Sequence, residues 1–595
     1  MLCSTQTFVV EGATRALKLV LQSDGVSSAP LLESAPLTCL ISLLSSSNLA
    51  LAQTSCDVLT KCCSPSHQCA TITTQGAVQP LIALALSGHR GGSSGTILHS
   101  GSQAAALHTL SLLLLHATVA VTQLLQSQPC PLRQLHLLLR SRTPRVKLYA
   151  ASCISCVGVG DVMRAPDGAA GMVQAHSQAQ SHALPVLLKL LGDSDLCGEV
   201  PAVLARLLED NVNLRRAASD AGAVKILAGF LAGGHTYPGV REASLGALAS
   251  ICLTQDDARK QLIEAKALIH IIAALSDSSS GVRCAATMCI MALTRSVKAL
   301  RTNLLDPNIA GLLCILLEDD SPAVQLHAAA AVCNLVLEFS AVKDAVLSNG
   351  GMKRLVALTS SELPALRLHS TWALRNMVYK SEPSIRAALM QELTWPMMQR
   401  LLTDVDEPVV EQAVCILRNL CMETPSNITA ALAWAGPELL VVLEEKLDPS
   451  RHSSHMVKLH ALYTTVNILS GSEAHKDAVL NGNLPSLLLH HLRAPASPTP
   501  LTTAPPPPPH TLPPLRDTPH ILGLTTIPEP EDVLVLPAVW CVINLTWPDV
   551  GGSGAVRARK LRELGMEEGL RGLAGHASAD VRERVRTALE QLSSS

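Results

Sequence analysis

The sequence predicts an all-α chain built as a solenoid of three-helix repeats, and three observations predict it. Asn334, Asn376, Asn419, Asn467 and Asn544 recur in one frame, at intervals of 42, 43, 48 and 77 residues. Ten residues before each stands an aliphatic residue that opens a helical pattern: Val324, Leu366, Val409, Val457 and Leu534. Hydrophobic residues make up 48% of the 595 residues but aromatic ones only 2%. A core of Leu, Ala and Val suits closely stacked helices, and a repeat array lets a long chain extend its core along one axis.

The helices of one unit can be read in order. The first is short and ends at a Gly or Asn break, as in AVKDAVLSNGG at 341–351 and HKDAVLNGN at 475–483, which fits a left-handed residue at the helix end. The second is apolar: GAVQPLIALAL at 76–86 returns as GAVKILAGFL at 222–231. A polar turn follows, often with acids and Pro, as in LLEDDSPAV and LLTDVDEPVV, residues that favour helix starts. The third helix is longer and ends near the asparagine. VREASLGALASI and VRCAATMCIMAL, from Val240 and Val282, fit this frame without the asparagine, so the period begins before it.

Three helices in about 42 residues match armadillo or HEAT units, and the asparagine favours armadillo: a right-handed α–α superhelix of about ten units. Residues 1–239 read as degenerate armadillo or HEAT-like repeats, 240–493 as regular armadillo repeats and 531–595 as the last repeats. Residues 494–530 hold 13 prolines, including PPPPP at 505–509, and read as a disordered insertion between the second and third helices of one unit. This insertion accounts for the 77-residue interval.

A formal net charge of −2 and a pI near 6.9 supply no global basic field for nucleic acid or an acidic membrane. The N-terminus lacks a basic region ahead of an apolar run, so no signal peptide is expected. The 18 cysteines are scattered through periodic apolar segments and read as small core hydrophobes in a reducing compartment. Cys56, Cys62, Cys63, His67 and Cys69 crowd together without paired CxxC spacing, so no metal is expected there. Residues 91–132 contain no Asp, Glu, Lys or Arg, but scattered His, Ser and Thr and the missing basic flank favour buried helices over a membrane span. No nucleophile motif, RING-type zinc framework or dinucleotide fingerprint appears, so no catalytic residue, metal or cofactor is expected.

The candidate site lies on the third helices. Trp372, Arg375 and Asn376 share one helix face, and Trp540 with Asn544 repeats the pair. On the inner, concave surface of an armadillo array such an amide can bond the backbone of an extended ligand, with the indole as an apolar wall beside it. The set expected to bind a partner is Asn334, Trp372, Arg375, Asn376, Arg418, Asn419, Tyr463, Asn467, Trp540 and Asn544. An aromatic residue at helical spacing also serves as core, and an asparagine can bond the neighbouring helix. Two pairs in register favour the groove reading. Arg375 and Arg418 are either solvated rim charges or donors to a bound carboxylate, from an acidic side chain or a chain terminus.

TRSVKALRTNLLD, VCNLVLEFSAVKDAVLSNGG, LPALRLHSTWALRNM, LLTDVDEPVVEQAVCILRNL, VWCVINLTW and RARKLRELGMEEGL resemble the C-terminal repeats of the armadillo repeat-containing protein 8 family. The good match spans about residues 240–595, with weaker similarity earlier, and some N-terminal repeats of the family are expected to be lacking. The resemblance implies a noncatalytic adaptor of a GID/CTLH ubiquitin ligase, cytoplasmic and nuclear. It would hold the substrate receptor in the groove of its C-terminal repeats and link it to the scaffold subunits. The alternative is an importin-α-like or other peptide-binding adaptor. A nuclear-import adaptor would carry more complete Trp and Asn pairs, acidic rims and a basic N-terminal arm.

Overall fold

The computed structural model describes residues 4, 6–21, 27–63, 67–87, 97–164, 170–193, 195–209, 211–233, 237–295, 307–338, 340–493, 532–548 and 552–593. The proline-rich stretch 494–530 lies outside them. The described residues form helices and no strand. The chain divides into two compact units, Met1–Leu300 and Arg301–Ser595.

In the second unit the helices Pro322–Glu338, Pro364–Val378, Glu407–Leu420, His455–Leu469, Asp532–Leu545 and Ala579–Ser593 pack each against the next. These are the third helices of successive repeats. Shorter first and second helices, such as Ser340–Ser348 and Gly351–Leu358, precede the later five of them, and Pro307–Leu316 precedes Pro322–Glu338. Asp532–Leu545 packs on both His455–Leu469 and the second helix Leu484–Arg493, so the stack continues across the proline-rich stretch. The first unit repeats the scheme. Leu49–Cys62, Ile97–His116, Pro144–Ser155, Val200–Leu208, Pro238–Cys252 and Ser280–Thr294 stack in the same succession.

Local chemistry explains the boundaries. Pro364, Pro383 and Pro425 open their helices, where the missing N–H costs nothing. The break between first and second helices is left-handed at Gly222, φ 78°, and at Gly350, φ 72°. At 481–483 it differs from expectation: Asn481 stays right-handed, at φ −85°. The acids of LLTDVDEP do not cap the helix they precede. Asp404 and Asp406 instead pair with Arg367 of the preceding third helix, the Asp404 contacts being 2.8 and 2.9 Å. Arg241 and Asp277 form the equivalent link in the first unit at 2.6 Å.

A second set of links begins on the first helices. The Nε of Arg215 donates to Leu208 O at 2.7 Å, that of Arg259 to Ala292 O at 3.0 Å and that of Arg557 to Leu545 O at 2.7 Å. Arg386 Nη1 reaches Met422 O at 3.3 Å, and Lys343 donates to Tyr379 O. Each cation stands at or near the C-terminal end of a third helix, where carbonyls lack intrahelical donors and the helix dipole is negative.

The core is small and aliphatic, as composition predicts. Cys252, Cys289, Cys333, Cys415 and Cys541 are free thiols inside it. Burial raises their pKa values, to about 12 for Cys252 and about 11 for Cys415, which keeps them protonated. Cys39 departs from the expected reduced pattern, being disulfide-bonded. Cys56, Cys62, Cys63 and Cys69 are buried while His67 is exposed, and no cluster of metal-ligating side chains occurs among the described residues. No single described helix is long and apolar enough to cross a membrane. The apolar run forms two helices, Ser100–His116 and Thr118–Gln126, bent by 119°.

Candidate functional site: the third-helix face of the second unit

Stacking the third helices in register places equivalent residues beside one another. The expected asparagines form an inter-helix ladder. Asn376 Nδ2 donates to Cys333 O at 3.0 Å, Asn419 to Arg375 O at 3.1 Å, Asn467 to Arg418 O at 3.0 Å and Asn544 to Val466 O at 3.2 Å. Every acceptor is the residue immediately before the asparagine of the previous repeat. The ladder crosses from His455–Leu469 to Asp532–Leu545 without losing a step, so the 77-residue interval leaves the packing register intact.

This geometry corrects the expectation that the amides meet a ligand's backbone. Asn376 and Asn419 are only 2% and 1% exposed, and their N–H groups already serve the neighbouring helix. Asn467 and Asn544 are partly exposed but make the same bond. Asn334 is also partly exposed and engaged. The physical reason is the position of the asparagine near the helix end, where it reaches the last turns of the neighbouring helix: the carbonyls of Arg375 and Arg418 have no backbone donor of their own, whereas that of Val466 also accepts from Ser470 N.

The bulky and charged members of the expected set lie differently. Trp372, Arg375, Arg418, Tyr463 and Trp540 are all partly exposed on these helices. The guanidinium of Arg375 lies 5.8 Å from the centroid of the Trp372 ring, and Nη1 donates to Gln412 Oε1 at 2.7 Å. Arg418 Nη1 faces His460 Nδ1 at 3.1 Å, and His460 Nε2 lies 3.9 Å from Glu411 Oε1. Burial, reinforced by Arg418 and Arg375, pushes the His460 pKa down to about 3, so this imidazole is neutral and accepts from Arg418. Burial raises the Glu411 pKa, and Arg375 works against that rise. Neither Arg375 nor Arg418 has an ion-pair partner among the described residues.

Several participants were not foreseen from sequence. Seven residues before each asparagine the register gives His327, His369, Gln412, His460 and Pro537. The signal was present, since the frame that aligns the asparagines aligns these too. His369 stacks on Trp372 with centroids 6.5 Å apart. The last third helix extends the frame to Gln591, and its Arg584 lies over Trp540 at 4.7 Å. Trp540 thus carries a guanidinium on its face, as Trp372 does, although the second one comes from the following repeat.

Among curated proteins, the mouse armadillo repeat-containing protein 8 is 27% identical over 568 residues, covering 90% of this chain and 75% of its own length. The zebrafish protein of the same name is 26% identical and covers 99% of this chain and 83% of its own length. GID complex subunit 5 of fission yeast is 26% identical over 510 residues, 77% of this chain and 62% of its own length. The chain therefore spans less than two thirds of that yeast relative. No protein-family model matches. Among solved structures, an engineered protein is 22% identical with a TM-score of 0.46, covering 70% of this chain and 96% of its own. One from work on a phosphorylation switch between cadherin and β-catenin is 15% identical, covering 100% of this chain and 99% of its own, with a TM-score of 0.49. The chain is an all-α helical-repeat protein whose curated homologues are armadillo repeat-containing protein 8 and GID complex subunit 5, at 26–27% identity over most of its length.

Proposed function

We propose that this protein is a noncatalytic armadillo subunit of a GID/CTLH-type ubiquitin ligase. It holds the substrate receptor on the third-helix face of its second unit and joins it to the scaffold subunits. The relatives' names support the complex. The observation that carries the binding role is the partly exposed row of Trp372, Tyr463 and Trp540 beside Arg375, Arg418 and Arg584. Aromatic and Arg side chains anchored in a packed surface dominate interface energies. The same guanidiniums disfavour the alternative of a nuclear-import adaptor, whose basic peptides they would repel.

The asparagine ladder determines how to test this. Substituting Asn376 would disturb helix packing, so the test uses Trp372→Ala/Tyr463→Ala in affinity capture beside the wild type. The double variant is expected to lose the receptor and keep the scaffold subunits. Equal recovery of every partner would remove the binding role from this face. A wild-type capture free of ligase subunits would remove the ligase assignment.

A further inference from the structure

The proposal concerns the partner chemistry of the same face and rests on the reading of that face as a binding surface. We infer that it takes an extended internal segment bearing two acidic clusters, held at two separate guanidinium and indole stations. The first station is Trp372 with Arg375, joined by Arg418 on the next helix. The second is Trp540 with Arg584. All three arginines lack an ion-pair partner among the described residues. Arg375 and Arg418 are instead positioned by neutral groups, Gln412 and His460, which orient a guanidinium without neutralising it. Glu411 accepts from Gln412 Nε2 at 3.4 Å and lies 3.9 Å from His460 Nε2; it feels the charge of Arg375 but forms no ion pair with either guanidinium.

An indole beneath a guanidinium restrains it while leaving its edge N–H groups free for a carboxylate. Arg418 and Arg584 are separated by three helix-to-helix steps, through His455–Leu469 and Asp532–Leu545. At roughly 8–10 Å per step the stations are about 25–30 Å apart. An extended chain at about 3.4 Å per residue covers that span with roughly eight residues. Tyr463 lies between the stations and offers an aromatic surface to the intervening stretch. Because both stations read acidic side chains, no free chain end is required.

The probe is a labelled, C-terminally amidated Ser/Ala peptide of roughly twelve residues with Glu-Glu at each end, a length set by the extended span. Fluorescence anisotropy compares it with peptides in which one or both Glu-Glu pairs become Gln-Gln, with a Lys-Lys analogue and with the free-acid form. The full chain is tested beside Arg418→Gln and Arg584→Gln, whose folding is checked by circular dichroism. The two-cluster peptide is expected to bind about tenfold tighter than either one-cluster peptide, through the effective concentration of the second contact. Each substitution is expected to abolish that advantage, and amidation to leave it unchanged. Equal affinity of one- and two-cluster peptides, an advantage that survives both substitutions, tighter binding of the Lys-Lys analogue, or dependence on the free acid would each overturn the proposal. Affinity capture separates the two readings. If wild type recovers ligase subunits while the peptides fail, only the acidic two-station reading falls. If capture fails while the peptides behave as expected, the ligase assignment falls alone.

Discussion

Substituting Asn419→Ala removes one step of the ladder. In the structure its Nδ2 donates 3.1 Å to Arg375 O, a carbonyl in the last turn of Pro364–Val378. The next available backbone N–H, that of Tyr379, bonds Asn376 O instead. Losing the amide therefore removes a hydrogen bond and strands a carbonyl at a packed helix end, a combined cost of about 2 kcal/mol. Repeat arrays unfold locally, so a global melt would dilute this effect. Hydrogen exchange resolves it. About 2 kcal/mol corresponds to roughly thirtyfold faster exchange through local opening. The acceleration is expected in peptides covering 375–381 and 415–422, with distant repeats unchanged. Exchange within about twofold of wild type at both sites would refute the reasoning, because a ligand-facing amide makes no contribution to the free protein's packing.

Arg557→Met should loosen Asp532–Leu545 by about 2–3 kcal/mol, measured as faster proteolysis and exchange there; the cost stays below that of a fully buried pair because Glu473 and Asp477 remain half-exposed. Burial pushes His327 and His369 from 6.5 down to about 4. Between those values the unfolded chain binds more protons, so stability is full above about pH 6.5 and lost as pH falls through about 4, by up to about 3 kcal/mol per histidine. Hydrogen exchange in Pro322–Glu338 and Pro364–Val378, corrected for the intrinsic pH dependence of exchange, should show the loss, and His327→Gln should flatten it. Gly350→Ala places a Cβ on a backbone at φ 72° and should lower stability by about 1–2 kcal/mol, read as faster exchange in Ser340–Ser348 and Gly351–Leu358.

Much of the fold was legible because helical periodicity and repeat length are local properties. The asparagine frame located the third helices of the second unit and continued across the proline-rich stretch. Before residue 239 the same stack exists but was harder to read. Ala170–Leu190, with Pro185 inside it, lengthens one connection, and Ile97–His116 lacks the charged residues that punctuate other units.

The candidate site was legible only in part. Sequence alone placed Trp372, Arg375 and Asn376 on one helix and repeated their spacing, since residues four apart share a face. It could not say what each side chain meets. The next third helix, about forty residues on in the chain, brings Gln412 to Arg375, His460 to Arg418 and Arg584 to Trp540. The same packing assigns the asparagine to the neighbouring helix and leaves the indoles and guanidiniums partly exposed. Periodicity determined which residues line up; only the stacking of helices decided which were used by the fold and which remained available to a partner.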